Sequence, residues 1–294
     1  MVVLLRDRRT RRPLDCTLIG MAKFPVTFPL TSKVILMLPD LPTPSRKRLR
    51  PAPLQYVVCQ VRHELRPTAD PSASFDVHRQ LSAEYPIIEP HMVHDVSVNV
   101  SPAGVQATGD PKSGFRLRSQ DGAWTVALLP EFFALECTGY TRWSEFRQRF
   151  SRVVEAVCTS VGPQLEQRIG LRFIDLLAPD GVESPRDWAP RLDASIAGGL
   201  THPLLSNRIV GLQGVLQLRE GAYDVMLRHG VQVEDREISY VIDTDCARQG
   251  GRILDRAQMA EDIEGLHTLA LQVFQACLAP DYLKSMETDE EATA

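Results

Sequence analysis

No run of 18 apolar residues occurs in the 294-residue chain, so no transmembrane helix is expected. The phosphate-cradling patterns GxxxxGK[ST] and GxGxxG are absent, as are HExxH and GxSxG. Nothing in the sequence therefore points to a nucleotide loop, a zincin or a nucleophile elbow. Six cysteines, at 16, 59, 137, 158, 246 and 277, make no CxxC pair and no zinc spacing. Cys59 and Cys137 fall in strand-like runs, Cys158 and Cys277 on apolar helix faces; scattered buried thiols suit a reducing cytoplasm. Aromatic residues are only 6% of the chain, and the three tryptophans fit core anchoring better than a base-stacking platform. Residues 1–24 carry arginines but no continuous apolar core, which makes a poor signal peptide.

The formal net charge of -4 is unevenly spread. Residues 1–50 hold 11 Lys/Arg and 3 Asp/Glu, a balance of +8; the rest holds 22 against 34, or −12. An acidic body argues against broad non-specific DNA binding, which needs clustered cations. Residues 1–50 read as a basic, proline-rich and poorly ordered extension. Its run Ser45–Arg50, SRKRLR, is either a solvated linker or an electrostatic contact with nucleic acid or an acidic surface.

From Pro53 the pattern is regular. PLQYVVCQVRHEL (Pro53–Leu65) is rich in β-branched and apolar residues and predicts a strand. Ser74 is placed to cap a helix that ends before Pro86. Val96, Val98 and Val100 alternate on one face, and further strands follow in 114–119 and 123–140. Phe146, Phe150, Val153, Val154 and Val157 mark an amphipathic helix behind a Ser144 cap. The order then restarts. QRIGLRFIDLL (Gln167–Leu177) predicts a strand, Ser184 and Pro185 open a helix that Pro190 shortens, and three strands lead to a long helix capped by Asp255. Gly250 and Gly251 read as a loop, and the acidic tail is expected to fray.

Both parts thus read strand, helix, strands, helix. The expected fold is α+β, with two tandem β-α-βββ-α repeats (51–163 and 164–284) joined edge to edge into one long curved antiparallel sheet with helices on one face; 285–294 is an acidic tail. Local patterns align between the parts. CQVR (Cys59–Arg62) lies on IGLR (Ile169–Arg172), and ALEC (Ala134–Cys137) lies on VIDT (Val241–Thr244).

Within the central strand Ile169, Leu171 and Phe173 share one face; Arg168, Gly170 and Arg172 share the other. A half-buried arginine requires an acceptor. Arg62 and Arg172 are therefore matched with Glu136, Asp243 and Asp245, either as a structural ion-pair network or as a ligand- or partner-binding concavity. The carboxylates also define a rival, a metal-dependent hydrolase or nuclease. His91 and His94, three apart in a strand, point to opposite faces and make a poor metal pair. No metal site, cofactor or catalytic residue is assigned.

The segments APLQYVVCQVRHEL, FDVHRQLSAEYPIIEP, WTVALLPEFFALECTGYTRWSEF, RIGLRFIDLL and YVIDTDCA, spread over residues 52–283, resemble a sporadically distributed bacterial protein family with a central RIGLRYIN-like strand. Asp175 stands where an asparagine is common in that family. His63 and Glu64 replace a usual aromatic, and residues 1–50 lie outside the match. The resemblance implies a shared fold and no particular chemistry. Together these features point to a cytoplasmic, non-enzymatic binding or accessory protein. Its partner would be a protein or a small anionic ligand, not a membrane, with nucleic acid reached only through residues 45–50. Sporadic occurrence suggests a place in a bacterial defence or toxin-control system.

Overall fold

A computed structural model describes residues 41–65, 71–94, 97–101, 104–108, 111–234 and 237–291. Strand β1 (Lys47–Leu49) precedes β2 (Leu54–His63) and helix α1 (Pro71–Leu81). Then come β3 (Ile87–His94), β4 (Ser97–Ser101), β5 (Gly104–Thr108), β6 (Pro111–Arg118), β7 (Trp124–Leu129), β8 (Phe132–Cys137) and α2 (Trp143–Ser160). β9 (Leu165–Leu177) leads to 3-10 helices at Pro185–Arg191, Gly198–Thr201 and Ser206–Arg208, the first two separated by α3 (Ala194–Ala197). The chain closes with β10 (Gln213–Glu220), β11 (Tyr223–Glu234), β12 (Glu237–Ile253), α4 (Arg256–Ala276), α5 (Pro280–Met286) and β13 (Glu287–Glu291).

Nine strands form one sheet in the order β10-β11-β12-β9-β2-β8-β7-β6-β3, beside two-stranded ladders β1-β13 and β4-β5. Its described pairings are antiparallel. The molecule is therefore mixed α+β with a large antiparallel sheet. Strand alternation decides what is buried. Val57, Cys59 and Val61 of β2 and Ile169 and Leu171 of β9 are fully enclosed. They meet Phe146, Phe150, Val153 and Val157 of α2, and Met259, Ile263, Leu266 and Val273 of α4, in one continuous core. Burying each such phenylalanine is worth about 3 kcal/mol or more against alanine.

Several local expectations are corrected. Ser74 lies inside α1, which starts at Pro71. Ser144 is in the first turn of α2, whose N-cap is Arg142. Ser184 does cap, through a capping box with Asp187, but Pro190 confines the segment to a 3-10 helix. Gly250 and Gly251 lie within β12, where the pairing with β9 shifts at a bulge and Gly250 takes φ 104°. The first half of the chain supplies more strands to the sheet than the three expected: β3, β6, β7 and β8 follow β2.

The basic run and the acidic tail also differ from expectation. Lys47–Leu49 pairs with Glu287–Glu291, and Lys47 Nζ sits 3.4 Å from Glu287 Oε2. Arg50 donates its backbone N–H to the Met286 carbonyl at 2.8 Å. Opposite charges on the two segments favour this closure. Expectations for residues 1–40 and 292–294 lie outside the described residues, as does Val96. No described helix is long and apolar enough to cross a membrane.

Candidate functional site

The sheet's second face carries the charged residues. Direct cross-strand neighbours share a face, and the pairings set Glu136, Val58, Arg172, Asp245, Met226 and Gln217 in one transverse row across β8, β2, β9, β12, β11 and β10. The only apolar cluster described on this face is Ala127, Leu129 and Ala134 with Val58, Val93 and Phe132, and no described helical residue belongs to it.

Arg172 grips Asp243 with both arms of its fork: Nε to Oδ1 at 2.7 Å and Nη2 to Oδ2 at 2.8 Å. The side chains are 14% and 6% exposed, so the pair is largely withdrawn from water and only weakly screened. Arg228 of β11 approaches the same carboxylate at 3.5 Å. Arg168 donates to Asp245 at 3.1 Å. Arg168 faces Arg62 directly across the β2–β9 pair, an unfavourable like-charge placement. Its guanidinium turns instead over Gly170, where a Cβ would clash with Nη1. The glycine in RIGLR thus leaves room for Arg168 to cross the Gln60–Gly170–Ala247 row and reach Asp245 in the row of Arg172.

Of the five residues singled out by sequence, the structure brings Arg172, Asp243 and Asp245 together. Glu136 is in the row of Arg172, on the far side of Val58. Arg62 is exposed, opposite Arg168 and Phe132, and makes no ion pair with a described carboxylate. The register explains why. Taking Gln60–Gly170 as centre, Arg62 and Arg172 occupy equivalent positions, as the alignment of CQVR on IGLR requires. Phe132 opposes Arg62 where Asp245 opposes Arg172, and Glu136 opposes Val58 where Gln249 opposes Arg168. The expected match of Glu136 with Asp243 is therefore corrected: Glu136 corresponds in register to Gln249.

Asp175 lies on the helix side of β9, opposite Ile242 and Leu54. Burial pushes its carboxyl up to about 8, with the charge of Asp243 adding to the rise. A carboxyl raised this far is held neutral near pH 7. The sequence also concealed a buried network at the start of β9. Glu166 is fully enclosed and accepts from Arg248 at 2.7 Å and Arg252 at 2.9 Å, and both arginines also pair with Asp262 of α4. Burial raises the Asp262 carboxyl although both arginines lower it. Alternation alone would put Glu166 on the face of Arg168; register shifts against β2 and β12 turn it to the helix side. His267 is buried and stacked on Trp143 at 4.0 Å between centroids, and burial lowers its imidazole to about 3.

Among the described residues no group of three or more His, Cys, Asp or Glu is placed to hold a metal ion. His91 and His94 both lie in β3. No protein-family model matches the chain, and a search of curated proteins returns no match.

Proposed function

We propose that this is a non-enzymatic binding or accessory protein that docks an acidic partner protein on the helix-free face of its sheet. One observation carries the reading: arginines paired as Arg172–Asp243 and Arg168–Asp245 lie beside an apolar patch on a face that no described helix packs against. Arginine beside apolar surface is the composition of protein interfaces. Arg62 and Arg228 are the more exposed arginines around these ion pairs. Exposed guanidiniums beside the apolar patch favour carboxylates on the partner.

Capture from a lysate of the native host, with the native chain and the R62E/R228E variant side by side, tests this. A protein retained by the first and lost by the second supports the face; equal retention by both overturns it. The metal-dependent hydrolase reading, built on Glu136, Asp243 and Asp245, gains little from a carboxylate already neutralised by a bidentate arginine. A thermal shift on adding Mg²⁺ or Mn²⁺, lost in D243N, would favour it instead.

The same proposal includes two tandem β-α-βββ-α units related about the Gln60–Gly170 pair. The central β2–β9 position and the equivalent places of Arg62 and Arg172 support it. The unequal strand numbers and the 3-10 segments standing where the second unit's first helix was expected are departures from a regular duplication. A cytoplasmic location and a role in defence or toxin control belong to this proposal through the thiols and the family resemblance, not through the site.

A further inference from the structure

On the other side of the sheet, a surface cavity of about 610 Å³ opens between the 3-10 helix Pro185–Arg191 and the segment that follows it. Trp188 of that helix is fully buried against Tyr240, so the cavity's wall is anchored on the helix-side core. Arg186 and Arg191 line the cavity together with Leu200, Thr201 and Pro203. Both guanidiniums are fixed by neutral acceptors. Arg186 Nη1 donates to Asn207 Oδ1 at 2.6 Å; Arg191 Nη1 donates to the Asp187 carbonyl, and its guanidinium carbon lies 5.9 Å from the Tyr282 ring centre. Each guanidinium has five N–H donors, and these hydrogen bonds engage one on each.

Asp187 also lines the cavity and feels the charge of Arg191, but its carboxylate accepts no hydrogen bond from either guanidinium. Asp187 turns its Oδ2 onto the backbone N–H groups of Glu183 and Ser184, at 3.0 and 2.8 Å, and onto the Ser184 hydroxyl. The capping box that starts the helix thus occupies the acid while positioning the arginines. Two forked cations beside the exposed Pro190 and Pro203, in a volume typical of small-molecule sites, match a ligand with an anionic end and an apolar body.

We propose that this cavity binds a small organic anion, with Arg186 and Arg191 holding its phosphate or carboxylate and Pro190 and Pro203 receiving its apolar part. The site is separate from the charged sheet face and does not depend on that reading. The test is calorimetric titration of the full chain with phenyl phosphate, phenylacetate and inorganic phosphate. Saturable binding is expected for one or both aromatic anions, about tenfold tighter than for inorganic phosphate. R186A, an exposed position with little bearing on folding, should weaken binding about tenfold, and R191K should weaken it through loss of the fork. R79A, on α1, should leave it unchanged. No saturable binding of either aromatic anion, or binding that R186A leaves intact, overturns the proposal.

Discussion

The two flanks of the central β2–β9 pair share one sheet but present opposite chemistry on its helix-free face. On the β8 side, Phe132, Ala134, Ala127 and Leu129 make an apolar patch. On the β12 side, the equivalent rows carry Asp245 and, one row beyond, Asp243, each bound to an arginine. Strand pairing is satisfied equally on both sides, so the ion pairs are not needed to make a sheet. They cost desolvation that an apolar pair would avoid. What they add is direction: Arg172 meets Asp243 and Arg168 meets Asp245 in one register, and the face becomes chemically distinct along its length.

Four experiments probe that contrast. D243A should cause the largest loss of stability at neutral pH, because it removes the shared acceptor of Arg172 and Arg228 at a site 6% exposed. A loss of about 3 kcal/mol is expected in chemical denaturation. Replacing the pair together, as R172M/D243L, should recover most of it and make the second flank resemble the first; an equal loss in both variants would show that the pair itself stabilises the fold.

D175N is next. The folded carboxyl is raised to about 8, above its unfolded value near 3.8. The native state therefore keeps a proton that the unfolded state gives up. This contribution is fully present below about pH 3.8 and is lost as pH rises to about 8, at no more than about 1.4 kcal/mol per pH unit. D175N should flatten that part of the stability profile, and an unchanged slope in urea denaturation across this range would refute the assignment.

G170A should act mainly on Arg168, the flexible group that a new Cβ would displace. A double-mutant cycle on Arg168 and Asp245 should give a coupling of about 1 kcal/mol in the native background and near zero in G170A. K47E, on the β1–β13 ladder where Lys47 is 49% exposed, should cost about 0.5 kcal/mol or less and vanish at high salt. A larger loss would mean that the ladder anchors the described start of the chain.

The legible parts of this fold follow from local periodicity. Cys59 and Val61, Leu171 and Phe173, and Phe146 and Phe150 each announce a buried face through spacing alone, and the central strand's polar face follows from the same alternation. The pairing of Arg172 with Asp243 was within reach because a half-buried cation between apolar neighbours calls for an acceptor. Glu166 was out of reach because bulges reverse alternation without a reliable sequence mark. The failure of Glu136 to match Asp243 has a related cause: ALEC and VIDT are similar as strings, but β12 runs for 17 residues against 6 in β8, and register follows the whole ladder.

By itself the sequence determined the α+β composition, the central strands β2 and β9, the long helices α2 and α4, and the apolar faces of these elements, because these depend on neighbours two to four positions away. Only the tertiary structure decided that Lys47–Leu49 closes on the acidic tail, that Phe132 rather than a carboxylate meets Arg62, and that Arg168 crosses Gly170 to reach Asp245. Those outcomes depend on register between segments as much as about 240 residues apart, which side-chain pattern within one strand does not encode.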